Sequence, residues 1–403
     1  MRALSLGRLE GDAHAVTGVR VDSRLVEPGD LFVAVSGGEA FLDDARARGA
    51  AATLVPDDAH VALAALGSAV RARSDARVVA ITGSVGKTST KDILAALLRP
   101  HLRTVAAPRG FNNELGLPLT LCMAEPETEV VVTEMAMRGP GQIRDLARVA
   151  RPDLGVITSI APVHLEQLGS LENIARAKAE LLEELPAGAV AVLPEDAPEL
   201  EPFVPEELDV RRFRQPEADV RDGRTHVRWR DRDVVFGFSA RHQATNAAAA
   251  LTAAEALGVE PPAEPVEVEF SLWRSQETDL ADGGLLINDA WNANPLAMRA
   301  ALAHLLERAN GRRTVAILGE MAELGADAPG YHDEVGREAE HVDVVLGVGE
   351  LARHYGPDEW APTAAEAVEV ARSLVRPGDA ILVKGSRSVG LEVVAEALLG
   401  AGA

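Results

Sequence analysis

Only four of the 40 basic residues in this chain are lysines, and three of them stand in stretches whose residue types could do chemistry. Lys87 closes Ile81-Thr-Gly-Ser-Val-Gly-Lys-Thr-Ser89, Lys178 lies in Ala177-Lys-Ala-Glu180, and Lys384 opens Lys384-Gly-Ser-Arg387. Lys91, one helical turn past Lys87, has no evident task. Arginine is a flat, permanently charged fork, whereas lysine is a compact ammonium that can lose its proton and act as a nucleophile. A lysine retained where arginine serves almost every other cation therefore marks a place arginine cannot fill. Codon bias explains any one of the three readily, and all three together much less well.

Gly83-Ser-Val-Gly-Lys-Thr88 follows an apolar run and opens a helical pattern, the context of a phosphate-binding loop. Glycines let the backbone curl so that its N–H groups and the helix N-terminus face an anion, Lys reaches the outer phosphates and Thr faces magnesium. Gly83, Ser84, Val85, Gly86, Lys87, Thr88 and Ser89 are the candidate nucleotide contacts, although Ile81 stands where the full motif has its first glycine. The competing reading is a tight turn with a solvent-facing lysine.

Glu134 ends the apolar run Glu129 to Thr133, so its carboxylate should emerge at the ligand-binding edge of a parallel sheet. His164 follows the run Leu154 to Thr158 in a comparable place. Taken singly, the first is more simply a solvated acid and the second a structural histidine. In the helical pattern Leu171 to Leu182 the apolar stripe is Leu171, Ile174, position 178 and Leu181, with Glu172, Arg176 and Glu180 mostly off it. Burial there lowers the pKa of Lys178 and frees its amine to react with CO2, giving an anionic carbamate that could hold a metal. From the pattern alone, a lysine whose stem lines the core while its head reaches water is the simpler reading.

The elements that must carry these groups alternate strand and helix, which predicts parallel, helix-covered sheets. Ala76 to Ile81, Glu129 to Thr133, Leu154 to Thr158 and Ala189 to Leu193 are strands of one unit. Leu285 to Asn288, Arg313 to Leu318, Val342 to Leu346 and Ala380 to Lys384 are strands of another. Asp30 to Val35 reads as a strand and Ala40 to Gly49 as a helix in a smaller first unit. Pro- and Glu-rich Val259 to Glu267 is the linker candidate. The expected fold is α/β in three domains: a small α/β N-terminal domain (1–75), a central P-loop parallel-sheet domain (76–264) and a Rossmann-like C-terminal domain (265–403). A chain of 403 residues with 47% hydrophobic residues has ample core for that. The formal charge of -22 argues against nucleic acid and anionic membrane as partners. One cysteine, no apolar leader and no apolar stretch of membrane-spanning length lead us to expect a cytoplasmic protein without membrane insertion.

From Asp22-Ser-Arg24 to Lys384-Gly-Ser-Arg387, the motifs resemble those of the Mur ligases. They include Gly83 to Ser89, Phe111-Asn-Asn-Glu-Leu-Gly-Leu-Pro118, Glu134-Met135, Thr158 to His164, Gly169-Ser170 and Ala177-Lys178. Asn288-Asp-Ala-Trp-Asn-Ala-Asn-Pro295, Leu318 to Gly325 and His332 complete the set. Asn292 to Pro295 with Leu318 to Gly325 resemble the branch that adds D-Ala-D-Ala. The resemblance implies that the first domain binds the UDP-substrate and that the second is the ATPase domain. It also implies ATP and Mg2+, with Lys87 and Thr88 at the phosphates and the first metal. Glu134 and His164 would be metal ligands, joined by a carbamate on Lys178, and Lys87, Lys178, His164 and Glu134 would form the catalytic set. It further implies nucleotide contacts from Asn112, Asn113, Asn246, Asn292 and Asn294. Ser23, Arg24, Lys384 and Arg387 would bind the substrates UDP-N-acetylmuramoyl-tripeptide and D-Ala-D-Ala, and the enzyme is expected to be a monomer. The chain departs from the family pattern at Gly37-Gly-Glu-Ala-Phe41, at Trp291 in place of Tyr and at Gln243 in place of Asn.

The implied reaction converts the tripeptide carboxylate to an acyl phosphate, which the dipeptide amine then attacks. Two rival readings are a sibling ligase with a different amine or acceptor, and a P-loop switch protein that hydrolyses ATP without any amine.

Overall fold

The computed structural model describes residues 6–11, 15–163 and 165–401. The first unit is a four-stranded sheet of β1 (Gly7–Glu10), β2 (Val19–Arg20), β3 (Leu31–Val33) and β4 (Ala52–Pro56), in the order β1-β4-β3-β2. Leu31, Phe32 and Val33 are all buried because α1 (Leu42–Ala47) and α2 (Ala59–Arg71) bring apolar residues to both faces. Asp58 caps α2 by accepting the Val61 N–H at 3.0 Å.

The central sheet has six parallel strands. β5 (Arg77–Thr82) is followed by α3 (Lys87–Leu98), β6 (Thr104–Ala106), α4 (Gly116–Cys122), β7 (Val130–Glu134), α5 (Gln142–Ala150) and β8 (Leu154–Ile157). The short α6 (Leu165–Leu168), α7 (Leu171–Glu183), β9 (Val190–Pro194) and β10 (Asp209–Phe213) complete it. The strand order is β10-β9-β8-β5-β7-β6. The chain leaves β5 toward one edge and later returns to its other side, so the crevice beyond the carboxyl ends of β7, β5 and β8 is the switch point where such sheets bind ligands. Glu134 occupies the last position of β7, level with Ile81 of β5.

Two features were not expected from the sequence. β11 (Ala218–Arg221), β12 (Arg224–Trp229) and β13 (Arg232–Phe236) form a three-stranded antiparallel sheet that packs on α8 (Ala244–Ala256). The Pro- and Glu-rich stretch is fastened down: Val266 donates to the Val235 carbonyl and accepts from Gly237, each at 2.8 Å, and its side chain is buried in the central core. The buried Val266 side chain and its two backbone bonds hold the stretch in place despite the prolines around it.

The last unit holds β14 (Gln276–Asp279), β15 (Leu285–Asp289), α9 (Pro295–Ala309), β16 (Thr314–Gly319), α10 (Ala328–Ala339), β17 (Val344–Val348), β18 (Glu359–Ala361), α11 (Ala364–Leu374), β19 (Ala380–Lys384) and α12 (Glu392–Ala401). Its order is β14-β15-β19-β16-β17-β18, parallel except for β14. Asp289 and Lys384 are register partners at the carboxyl ends of adjacent strands. The architecture is thus three-domain α/β. No helix among the described residues is long and apolar enough to cross a membrane.

Arg71, at the end of α2, fixes the first unit to the second. Its guanidinium donates to the carbonyls of Ala150 (3.0 Å), Arg151 (3.0 Å) and Ala76 (3.2 Å) and to Asp153 at 2.8 Å. Arg71→Ala strips donors from half-buried carbonyls and is expected to cost about 2–3 kcal/mol. Arg71→Lys should recover little, because one ammonium cannot span the fork's contacts. Thermal unfolding of the two variants against wild type checks both.

Candidate active site

The loop after β5 folds because two of its positions exclude side chains. Gly83 has φ +146°, and a Cβ there would lie 2.0 Å from the Thr158 hydroxyl; Gly86 has φ +86°, and a Cβ there would lie 2.1 Å from Asn246 Oδ1. The loop is held by the segment after β8. Ser84 N–H donates to the Ser159 carbonyl at 2.9 Å, Val85 N–H to the Ser159 hydroxyl at 2.9 Å, and the Ser84 hydroxyl to the Ala161 carbonyl at 3.0 Å. Lys87 Nζ curls back to the Gly83 carbonyl at 2.7 Å. Burial lowers its pKa, the Glu134 charge opposes that, and the Arg274 charge adds to it.

Beside the loop, the buried Glu134 carboxylate accepts from the Thr88 hydroxyl at 2.9 Å and from the Asn112 amide at 2.8 Å. Its hydrogen-bond donors among the described residues are neutral, while the Lys87 and Arg274 cations lie near enough to feel its charge. Lys178 is 2% exposed, on the inward stripe the sequence indicates. Burial, followed by the charge of Lys87, pushes its ammonium well below the ordinary lysine range. No hydrogen bond or ion pair reaches it among the described residues. The snorkelling reading fails here, since the head as well as the stem is enclosed. Glu180, expected off the stripe, is buried too: its carboxylate caps α5 by accepting from Gly141 N–H at 2.6 Å and Arg144 N–H at 3.1 Å. A negative group at a helix N-terminus is favourable.

Across the crevice, the third unit brings groups that sequence reasoning missed. Arg274 reaches the Thr88 hydroxyl at 3.3 Å. Burial lowers its pKa, and the charges of Asp289, Glu134 and Asp92 work against that. No periodicity announces Arg274, but Asp289 ends a strand as Glu134 does, and the same strand-end rule would have found it. Lys384, 2% exposed, is paired with Asp289 at 2.5 Å and donates to the Asn292 carbonyl at 3.0 Å. Asn294 caps α9 through Ala297 N–H at 2.9 Å. Between these groups and the loop lies a cavity of about 390 Å³, lined among others by Ser84 to Ser89, Asn246, Arg274, Asn292, Asn294 and Lys384.

Other expected residues lie apart. Asn113 does not line this cavity; its side-chain oxygen accepts from Gly116 N–H at 2.9 Å at the start of α4. Ser23 and Arg24 stand on the first unit, with Ser23 buried and Arg24 paired to Asp22 at 2.6 Å. Arg387 packs on tryptophan rings and pairs with Glu392. His164 lies outside the described residues.

Among the described residues no three His, Cys, Asp or Glu side chains converge on a metal position. Magnesium needs less than that: one or two carboxylates, with phosphate oxygens and water completing its shell. The buried Glu134 carboxylate and the Thr88 hydroxyl are donors of that kind.

The sequence matches the Mur ligase middle domain over residues 81–254 and the Mur ligase, glutamate ligase domain over residues 273–387. This chain belongs to the Mur ligase family. It is similar to the UDP-N-acetylmuramoyl-tripeptide–D-alanyl-D-alanine ligase of Mycobacterium tuberculosis, at 36% identity over 95% of this chain and 92% of that one. Among solved structures, MurF from Acinetobacter baumannii has a TM-score of 0.82 at 27% identity, covering 95% of this chain and 93% of that one. MurF ligase from Thermotoga maritima in complex with ADP has the same score and identity, covering 95% and 97%.

A buried polar knot joins the second and third units behind the cavity. Glu277 of β14 accepts from His304 Nε2 at 2.8 Å, from Arg308 and from the Ser239 hydroxyl; burial raises its pKa, but these bonds outweigh it and leave it at about 2. The His242 ring meets His304 edge-on, with centroids 5.4 Å apart. Burial and then the His304 charge push His242 down to about 4. A histidine lowered on folding stabilises the fold fully above its unfolded pKa of about 6.5, and that contribution drains away as pH falls toward 4. Going from about pH 7 to about pH 5 is therefore expected to cost on the order of 2 kcal/mol through this residue. His242→Gln should flatten that dependence, as read from denaturant midpoints at the two pH values.

Proposed function

We propose that this crevice joins the amine of D-Ala-D-Ala to the terminal carboxylate of UDP-N-acetylmuramoyl-tripeptide, with ATP converted to ADP and phosphate, in the synthesis of peptidoglycan precursors. The observation that carries this reading is a glycine loop whose Thr88 hydroxyl bonds a buried carboxylate, with the enclosed Lys178 amine near enough to feel the charge of Lys87. The names of the relatives supply the substrates.

Condensing a carboxylate with an amine is uphill in water, so the carboxylate must be activated first. A tripeptide carboxylate oxygen attacks the γ-phosphorus of ATP, the bond to the bridging oxygen breaks, and ADP leaves with its electron pair. The dipeptide amine then adds to the acyl carbonyl, giving a tetrahedral intermediate that expels phosphate and loses a proton. The first step brings two anions together. Lys87 swings from the Gly83 carbonyl to the outer phosphates, the loop N–H groups cradle the inner ones, and Arg274 adds charge from the third unit. Thr88, Glu134, His164 and a carbamate on Lys178 would hold magnesium, which would supply charge neutralisation for the phosphoryl group. The carbamate forms when the neutral Lys178 amine adds to CO2 and releases a proton. Asn112 orients Glu134, while Asn246, Asn292 and Asn294 line the nucleotide's side of the cavity. Ordered positioning of this kind removes on the order of 7–11 kcal/mol of barrier in favourable cases.

Residues 1–75, 76–264 and 265–403 are assigned to the UDP-substrate, ATP and C-terminal domains, with Ser23 and Arg24 on the UDP end and Lys384 and Arg387 on the peptide end. The enzyme is read as a cytoplasmic monomer.

Incubation with the nucleotide-tripeptide, D-Ala-D-Ala and ATP is expected to yield ADP and a product heavier by one dipeptide less one water. ATP turnover that ignores the amine would contradict the ligase reading. Lys178→Ala should lower ligation on the order of 100-fold or more, with partial rescue by short carboxylic acids, and full activity in the variant would exclude the carbamate. Glu134→Ala should lose magnesium-dependent turnover while ATP analogues still bind, as seen by titration calorimetry.

A further inference from the structure

One cluster beside the residues that line the crevice, of which only Arg387 has been given a task above, calls for an explanation. The Trp273 and Trp291 rings lie with centroids 6.1 Å apart. The Arg109 guanidinium sits 4.4 Å from the first and 4.8 Å from the second, and Arg387 lies 4.9 Å and 5.7 Å from the same two rings. Arg109 comes from the central unit, and the other three side chains come from the last. Stacking uses the guanidinium face and leaves its in-plane N–H donors for a carboxylate.

The cluster is built rather than incidental. On α3, Lys91 Nζ holds the Ala107 carbonyl at 2.7 Å, and its neighbour Asp92 accepts from Ser271 N–H at 2.9 Å. Two adjacent side chains thus anchor the segment that carries Arg109 and the segment that carries Trp273. Trp273 has φ +64° and Ser275 φ +47°, conformations that cost energy outside glycine and persist only when their surroundings enforce them. The charge is equally telling. In a chain with 62 acidic against 40 basic residues, Arg109 has no carboxylate partner among the described residues, and it lies close enough to lower the pKa of Arg274. Arg387 is paired with Glu392, but Arg109 and Arg274 have no ion pair among the described residues, and two such guanidiniums together on an acidic protein mark a site for an anion.

We infer that Arg109, stacked on Trp273 and Trp291 and seconded by Arg387, receives the free carboxylate of the incoming dipeptide amine. This rests on the ligase reading. The spacing suits it. Arg274 touches the Thr88 hydroxyl at 3.3 Å, and its guanidinium carbon lies 5.9 Å from the Trp291 ring. An extended dipeptide spans about 7 Å, enough to put its amine near the phosphate loop and its carboxylate over the tryptophans.

Steady-state kinetics with D-alanyl-D-alanine and with D-alanyl-D-alaninamide, which lacks the carboxylate, test this on wild type and Arg109→Gln. The wild type is expected to use the amide with a KM raised about 10- to 100-fold, the worth of one charged hydrogen-bonded contact. Arg109→Gln should raise the dipeptide KM by a similar factor and shift the amide KM by less than about two-fold. Equal losses with both amines would make Arg109 a brace between the units. A change confined to the nucleotide-tripeptide KM would give the cation to that substrate. Either result overturns the inference, as does an unchanged dipeptide KM. A wild-type enzyme that ligates neither amine refutes the ligase reading itself, and the inference with it.

Discussion

Burying an ammonium without a partner is among the most costly things a fold can do, and this one draws all four of its lysines inward. Three are compensated. Lys384 has Asp289, Lys91 has Asp92 and the Ala107 carbonyl, and Lys87 rests on the Gly83 carbonyl with Glu134 nearby. Lys178 has no such relief among the described residues, and the charge of Lys87 weighs against it as well. The physical way out is to shed its proton, which would leave a nucleophilic amine. The proposed carbamate turns an electrostatic liability into an anionic ligand that complements the surrounding cations.

The scaffold supplies that geometry through strand ends. β5, β7 and β8 deliver the loop, Glu134 and the Thr158 segment from one sheet, while β15 and β19 deliver Asp289 and Lys384 from another. α7 starts where Ser170 caps it and is tied to α5 through Glu180, so Lys178 is fixed in rotation as well as in depth. The α3 pair Lys91 and Asp92 does the same for the two segments that meet at the tryptophans. Lys91, which the sequence leaves without a task, is a positioning residue.

Much of this was legible in the residue order. The phosphate loop, the strand that ends on Glu134 and the inward register of Lys178 all follow from local periodicity, which depends on neighbours a few positions away. The three-domain α/β class follows from the alternation of strands and helices. What stayed hidden depends on distant contacts. Glu180 looks like a surface acid until α5 presents its bare N–H groups. Arg274 sits between two left-handed residues in a stretch with no helical or strand period. Val266 looks like part of a linker until Val235 and Gly237 pair with it. Asn113 shares a motif with Asn112, yet its side-chain oxygen accepts from the backbone of α4, whereas the Asn112 amide donates to Glu134.

The state of Lys178 is the claim on which the chemistry turns, and 13C NMR of protein equilibrated with labelled bicarbonate addresses it directly. A carbamate resonance that survives removal of free bicarbonate and is absent from Lys178→Met is the expected result. A spectrum without that resonance, or one in which it persists in the variant, would contradict a neutral, CO2-binding amine beside the phosphate loop.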